Sequence, residues 1–456
     1  MERMTLVNLE ELEQAIGRAL QSGDAERLRQ LLLAQHPADV ADVIERQSAA
    51  AQCRLFELLS MAQAAGVLHE LGTESTRQLL NCLSVEAIGD VLDAMPMDEV
   101  ARVLTRDVPE RQEELLSAME PPDATEVRAL LQYPPESAGR LMTEKFVRVQ
   151  REMTVAETID YLRVIDPEVE TLTDLYVLDE EGRLVGVLSL RELMVAERHR
   201  RLDEMMTTQL VTVPPQMDQE EVAQLVSHYD FLTMPVVDTA GRMLGIITVD
   251  DIIHVLVEET TEDVLRFGAV EGGVINQPYF TTRIWRVVRT RVGWLLLLFL
   301  AETLTGSVLR LFEDELNAVV ALTFFIPLLI GTGGNTGAQT VSTIIRGHAL
   351  REIGPRDIWR VLRRELLSGL LLGLLLGVAA FFRSELWGSS SALSLVVALT
   401  ILVIVVWANT IGSLIPLLAA RLRIDPAVVS APLITTLVDA TGLLIYLLIA
   451  KAILGI

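Results

Sequence analysis

The sequence predicts a multidomain protein with an all-α superhelical N-terminal domain, an α/β region built from one module used twice, and a five-helix transmembrane domain. Three observations predict it. Apolar pairs recur at multiples of twelve residues near the N-terminus, a block of about sixty residues is repeated in tandem, and charge divides sharply along the chain. The whole chain of 456 residues has a net charge of −24. From Arg283 onward there are 15 basic and 10 acidic residues, which leaves −29 in residues 1–282. Half the residues are apolar, too many for a disordered acidic chain. The acidity excludes nucleic-acid binding through general electrostatics. Two cysteines, Cys53 and Cys82, exclude a disulfide scaffold and a cysteine-rich zinc module.

Residues 1–135 lack strand-like alternation. Val43-Ile44, Val67-Leu68, Val91-Leu92, Val103-Leu104 and Val127-Arg128 are spaced by 24, 24, 12 and 24 residues, multiples of one short helix and its turn. Such a period predicts stacked short helices sharing a buried face, with most Asp and Glu side chains on a solvated outer surface.

From Met142 strands alternate with helices, twice. Met142-Thr143 and Met153 recur 64 residues later as Met206-Thr207 and Met217. Gly182-Arg183 and Gly186 recur 59 later as Gly241-Arg242 and Gly245, so the first copy carries extra residues around Val164–Thr173. This tandem block resembles a pair of CBS (cystathionine β-synthase) domains. The resemblance implies an adenosine-nucleotide cleft whose ribose is held by a carboxylate three residues after a Ser or Thr. Thr248-Val249-Asp250-Asp251 fits that pattern, and Ser189-Leu190-Arg191-Glu192 fits it with a longer acid. Either stretch could equally be a helix cap.

Charge-poor apolar runs then mark five spans: Trp294–Phe312, Leu316–Ile345, Leu366–Phe382, Leu386–Ala420 and Pro426–Ala450. No apolar run follows Met1, so no cleavable signal is expected. Twelve basic residues fall on one side: Arg283, Arg286, Arg289 and Arg291, then Arg346, Arg351, Arg356, Arg360, Arg363 and Arg364, then Arg421 and Arg423. Arg310, Arg383, Lys451 and the acidic Glu313-Asp314-Glu315 loop fall on the other. The positive-inside rule therefore predicts a cytoplasmic acidic half and an outside C-terminus in the cell membrane.

Asp439 is the acid centrally placed in an otherwise apolar span, among Thr435, Thr436, Thr441 and Gly442. An intramembrane carboxylate costs about 2.5–3.5 kcal/mol on insertion scales and suggests an ion pathway, although helix-to-helix glue is the bland alternative. Glu302 lines the same path or points toward the near interface. Gly331-Thr332-Gly333-Gly334-Asn335-Thr336-Gly337 predicts an interrupted helix whose freed carbonyls, with Asn335, offer oxygen ligands beside a pore. No Lys follows the glycines as a phosphate-binding Walker loop requires. Oxygen ligands without nearby Cys or His favour a hard divalent cation, magnesium in particular. One Asp439 per chain is sparse, and a two-fold axis would pair it, which predicts a homodimer.

Together these parts resemble the MgtE family of magnesium channels over essentially the whole chain. The resemblance implies domains at 1–138 (acidic helical), 139–200 and 201–260 (CBS), a connecting helix over 261–291, and a transmembrane domain at 292–456. It places Asp439 in the pore, lined by Asn335, Thr336, Gly337 and Thr436. It implies regulatory magnesium ligands at Asp98, Glu99, Asp218, Glu220, Asp230, Asp250, Asp251, Glu259, Glu262 and Asp263, and ATP contacts at Arg191, Glu192 and Phe231. The chain departs from the pattern at Ala431 and Ala338, where Asn is usual, and at Gly66, Arg102 and His254, where acids occur.

The expected function is magnesium uptake closed by internal magnesium, with ATP as a modulator. A sodium- or proton-coupled transporter of divalent cations is the alternative. The six histidines are scattered and no nucleophile–base pair stands out, so a CBS-regulated enzyme ranks last and none is expected.

Overall fold

The computed structural model describes residues 9–165, 169–270, 282, 284–349, 352–422 and 424–456. They divide into two compact units, with the boundary between Glu259 and Thr260.

In the first unit the N-terminal region is a stack of short helices: α1 (Leu9–Ser22), α2 (Ala25–Leu33), α3 (Pro37–Glu45), α4 (Ala49–Phe56), α5 (Met61–Glu70), α6 (Thr73–Cys82), α7 (Val85–Asp93), α8 (Met97–Arg106), α9 (Gln112–Leu116), α10 (Pro121–Leu130) and α11 (Ala138–Leu141). The period is twelve throughout. Val43, Leu55, Val67, Leu79, Val91, Val103, Leu115 and Val127 occupy one position on successive helices α3 to α10, each no more than 6% exposed. Twelve residues hold one short helix and a turn, so each turn brings the same face back to the core. Alternate helices pack: α3 on α5, α5 on α7, α4 on α6 and α8 on α10. Ser60 and Ser84 cap α5 and α7 by accepting from Gln63 and Ala87 amides, which starts each helix at a fixed point.

The cysteines, expected to build no scaffold, form a single bridge, Cys53–Cys82, between α4 and α6. Burial of the shared apolar face, not cross-linking, organises this region.

The duplicated module follows. Its first copy holds β1 (Phe146–Gln150), α12 (Val155–Leu162), β2 (Thr171–Leu178), β3 (Leu184–Ser189) and α13 (Leu190–Val195); its second holds α14 (Gln219–Tyr229), β4 (Thr233–Val237), β5 (Met243–Thr248) and α15 (Val249–Phe267). β1 pairs parallel with β2 and β2 antiparallel with β3, while β4 pairs antiparallel with β5. An isolated parallel bridge from Val213 to Val236 stands where β1 pairs in the first copy. Gly182 and Gly241 take φ +77° and +80°, and Asp179 and Asp238 accept the amides of Arg183 and Arg242 in identical turns. The connection from Leu162 to Thr171 is longer than that from Tyr229 to Thr233, which accounts for the drop from 64 to 59.

Among the described residues, the second unit contains five helices long and apolar enough to cross a membrane. They are α16 (Ile284–Leu311), α18 (Ile326–Ala349, entered through a 3-10 turn at Val320–Phe325), α19 (Ile358–Leu386), α20 (Ser391–Arg421) and α21 (Ala431–Leu454); α17 (Glu313–Ala318) is a short helix where an acidic loop was expected. On α19, Gly369, Gly373 and Gly377 face the backbone of Val406, Leu402 and Ala398 on α20, so the two helices approach closely. This Gly-x3-Gly-x3-Gly spacing was legible and is the main packing signal the sequence reading passed over.

Of the connector expected over 261–291, the first part is the end of α15, which stops at Phe267 near Ala269 with φ +59°, and the last part is the start of α16. Residues 271–281 and Arg283 lie outside the described residues, as do Arg351 and Arg423, and Ile284 already begins α16.

Candidate functional site

In the first unit, Asp98 and Glu99 stand in the first turn of α8 and Asp251 in the first turn of α15. Helix N-termini stabilise negative charge, which helps explain why acids are held there. One carboxylate oxygen from each lies within 4.8 Å of the others. Asp98 is 8% exposed, and its Oδ1 has no hydrogen-bond partner. Burial, then the charge of Asp251, pushes its carboxyl well above the usual range. Asp251 Oδ2 accepts from Thr248 Oγ1 at 2.7 Å, yet burial carries its pKa up to about 7.

Glu99 behaves oppositely. Burial alone would raise it, but His69 Nδ1 lies 2.9 Å from Oε2 and Arg102 Nε donates to the same oxygen at 2.9 Å, which holds it at about 2. The hydrogen bond to Glu99 in turn raises His69. The His254 ring stands edge-on to His69 at 5.3 Å, so Arg102 and His254, two of the three departures from the acidic pattern, flank the cluster on one side. Gly66 is closed off differently: a Cβ there would meet Pro37 at 3.1 Å.

Glu170, just before β2, belongs with these acids: burial and then Asp250 raise its pKa, and it acts on both Asp98 and Asp251. Sequence reading missed it because it sits in the extra segment of the first copy, where no repeat partner marks it. Oxygen ligands, one without any partner, suit a hard divalent cation that retains some of its water.

Of the other expected regulatory acids, Asp250 acts on Asp251 and Glu170 at the edge of this cluster, and the rest do not join it. Asp218 caps α14 by accepting from the Glu220 amide, and Glu220 accepts from Gln224 Nε2. Asp230 ends α14 in the left-handed region at φ 55°. Glu259 accepts from Gln219 Nε2 at 2.7 Å, tying α15 to α14. In the second unit, Glu262 and Asp425 both pair with Arg266, and burial, then the charge of Asp425, raises Asp263. Asp425 was not foreseen: it lies between two spans, where nothing in the sequence singles it out.

A cleft of about 220 Å³ opens between the two module copies, lined by Asp174, Tyr176, Ser189, Glu192, Phe231 and Thr233 among others. Tyr176 OH and Thr233 Oγ1 are 2.6 Å apart, and Thr233 donates to Asp174 Oδ2 at 2.8 Å. Ser189 and Glu192 form a reciprocal capping box on α13. Of the expected nucleotide contacts, Glu192 and Phe231 line this cleft, whereas Arg191 is exposed and outside the lining. The better-matching Thr248–Asp251 pair is corrected by the structure: Asp251 turns into the acid cluster, leaving the first copy's motif on the cleft.

In the membrane unit the glycine-rich run is also corrected. Residues 331–337 lie inside continuous α18 rather than in a broken helix. A helix satisfies its own backbone in apolar surroundings, and the missing side chains admit neighbours instead of freeing carbonyls. A Cβ on Gly333 would meet Ile404 and Val438, and one on Gly337 would meet Ile434. Thr336 is buried and donates to the Thr332 carbonyl, Thr436 donates to the Pro432 carbonyl, and Asn335 is exposed. Asp439, on α21, faces Gly334, and its Oδ1 is buried without a hydrogen-bond partner. Glu302, on α16, acts on it electrostatically. Ala431 and Pro432 begin α21, capped by Ser430. A polar chain the sequence reading missed crosses three spans: Thr340 to Asn409, and Asn409 to Glu365 and Ser368.

Residues 326–449 match the MgtE divalent cation transporter family, 35–136 match the MgtE intracellular N domain, and 138–199 and 202–258 match the CBS domain. The chain is 40% identical over 449 residues to the magnesium transporter MgtE of Thermus thermophilus, covering 98% of this chain and 99% of that one. It is 34% identical over 433 residues to the Bacillus subtilis protein of the same name, covering 95% of each. Among solved structures, the cytosolic domain of the Mg2+ channel MgtE in complex with ATP aligns with TM-score 0.51 at 38% identity, over 53% of this chain and 99% of that one. The soluble part of a magnesium transporter aligns with TM-score 0.50 at 30% identity, over 55% and 99%.

Proposed function

The chain belongs to the MgtE family of magnesium transporters, and from that premise we propose that it is a homodimeric Mg2+ channel, closed by Mg2+ bound to its cytoplasmic acids. The observation that carries the reading is Asp439: a half-buried carboxylate within an apolar span, whose Oδ1 is buried without a hydrogen-bond partner and faces the Gly334 backbone. Magnesium sheds water reluctantly, and a lone carboxylate beside a glycine surface suits an ion that arrives hydrated. Pairing across a two-fold axis would give two such carboxylates.

Gating follows from the soluble acids. Without Mg2+, Asp98, Asp251 and Glu170 repel one another, and the helical region separates from the second CBS copy. Mg2+ takes the place of the missing counter-charge and holds α8 against the start of α15. That same helix continues to Glu262, Asp263 and Arg266, which gives the sensor a continuous element through which to act. The chain's Arg102 neutralises Glu99 permanently, so Mg2+ sensing here rests on Asp98 and Asp251. ATP is proposed to occupy the cleft at Phe231 and Glu192. The basic loops put the acidic half in the cytoplasm and the C-terminus outside.

Magnesium flux into proteoliposomes tests the pore: Asp439→Ala should abolish it, and undiminished flux would remove Asp439 from the path. The proximity of Glu302 to Asp439 favours one second reading, a proton- or sodium-coupled carrier. Uptake that follows a pH or sodium gradient rather than voltage alone would select it.

A further inference from the structure

A second feature of the membrane unit shares no residue with the set proposed around Asp439. A cavity of about 420 Å³ lies at the adjoining ends of α18 and α19. Ile344, Ile353 and Val361 form its floor, part of a small apolar cluster with Leu417 and Ile358. Arg346, Arg360 and Arg364 stand around it.

Three acids share the lining, Glu352, Asp357 and Glu365, and the last two already accept hydrogen bonds from uncharged groups. Glu365 Oε2 accepts from Asn409 Nδ2 at 3.2 Å and Ser368 Oγ at 3.1 Å, and Asp357 Oδ2 accepts from the Gly354 amide at 3.2 Å. Arg346 reaches Glu352 only at 3.9 Å, Arg360 reaches Asp357 at 3.4 Å, and Arg364 has no ion pair among the described residues. Asp357 makes no side-chain cap on α19, so amides in the first turn of this 29-residue helix remain for another acceptor. Three guanidinium groups and a helix N-terminus form an anion site of the kind phosphate groups occupy.

The helix face beyond the cavity indicates what carries the phosphate. Arg360, Arg364, Leu367, Leu371, Leu374 and Val378 follow one another at spacings of four and three, so they share one stripe of α19. All six are exposed, and Trp359, 77% exposed, marks the same first turn as a membrane-interface position. Cationic groups at the head of an exposed apolar stripe match a phospholipid's charge and shape. We propose that this cavity binds the phosphate headgroup of an anionic phospholipid, with an acyl chain lying along the α19 stripe. Basic pockets between membrane helices hold such headgroups elsewhere. The site does not depend on which ion the protein conducts.

Native mass spectrometry of the full-length protein in detergent tests this, using phosphatidylglycerol, phosphatidylcholine with the same chains, and inorganic phosphate as probes. The expected result is selective retention of phosphatidylglycerol, weakened about tenfold or more in the Arg360→Gln, Arg364→Gln double variant. Arg356→Gln, which removes a nearby charge outside the lining, should change retention by less than about twofold. If the double variant does not fold, Arg364→Gln alone should still weaken retention about threefold. Equal retention of phosphatidylcholine, or an equal loss in Arg356→Gln, would overturn the proposal. Full competition by millimolar inorganic phosphate would overturn it in favour of a free-anion site.

Discussion

The Asp439 carboxylate lies against the backbone of Gly334: its Oδ1 is 3.4 Å from where a β-carbon on that glycine would stand. The glycine-rich run therefore matters for what it omits. At Gly333 an added Cβ would meet Ile404 Cγ2 at 2.6 Å and Val438 Cγ1 at 2.9 Å, whereas at Gly334 the nearest contacts are 3.3–3.5 Å.

Gly333→Ala and Gly334→Ala should consequently fail in different ways. Overpacking at Gly333 should destabilise the membrane unit by about 1–3 kcal/mol, read as a lower unfolding temperature in detergent. Gly334→Ala should leave that temperature nearly unchanged while reducing Mg2+ flux several-fold, roughly a 1 kcal/mol effect at the pore. Normal flux in Gly334→Ala would separate the glycine from the Asp439 path.

The acid cluster predicts a pH dependence. Asp98 and Asp251 have pKa values raised above the ordinary 3.8, Asp251 to about 7. The folded form therefore binds protons more tightly than the unfolded chain. Its stability is complete below the ordinary value and falls as pH rises toward the folded one. Without Mg2+, the unfolding temperature should drop between about pH 4 and pH 7. Millimolar Mg2+ should restore more of it at pH 8 than at pH 5. Asp251→Asn should flatten both responses, and an unchanged Mg2+ effect in that variant would exclude Asp251 as a ligand.

The twelve-residue period makes a third prediction. Leu79→Ala, at a fully buried repeat position on α6, should cost about 2–5 kcal/mol. Gln52 is buried on α4 with Oε1 unpartnered, although its Nε2 donates to the Gln47 carbonyl. Gln52→Leu should thus be neutral or stabilising by about 1 kcal/mol. Chemical denaturation of the two variants decides the matter, and a large loss from Gln52→Leu would show that the glutamine is structurally required.

Nucleotide binding should discriminate within the expected contacts. Phe231→Ala, which removes a ring from the cleft lining, should weaken ATP binding about tenfold, equivalent to ~1.4 kcal/mol. Arg191→Ala should change it little, because that side chain lies outside the lining. Calorimetric titration of both variants checks this; a larger loss from Arg191→Ala would contradict the cleft as the ATP site.

The legible parts of the site were those with a local signature. Asp439 stands out because a charge in an apolar span is costly wherever its neighbours lie. Glu192 was legible through Ser189, three residues before it. Glu170 and Asp425 had no such marker, since each gains its role from groups distant in sequence. Leu55, Leu79 and Leu115 were missed for a plainer reason: they put Leu at the repeat position where the visible helices have Val.

Sequence alone determined the five spans, the duplicated module and the division of charge, because hydrophobic length, internal repetition and composition are properties of the chain itself. Only tertiary structure decided which acids share a site. Asp98, Glu99 and Asp251 converge because α8 and the start of α15 pack together, while Asp218 and Asp230 are used at the two ends of α14. It also decided that residues 331–337 remain helical. Their glycines look like a break in isolation, but packing against Ile404, Ile434 and Val438 fills the space that side chains would have taken.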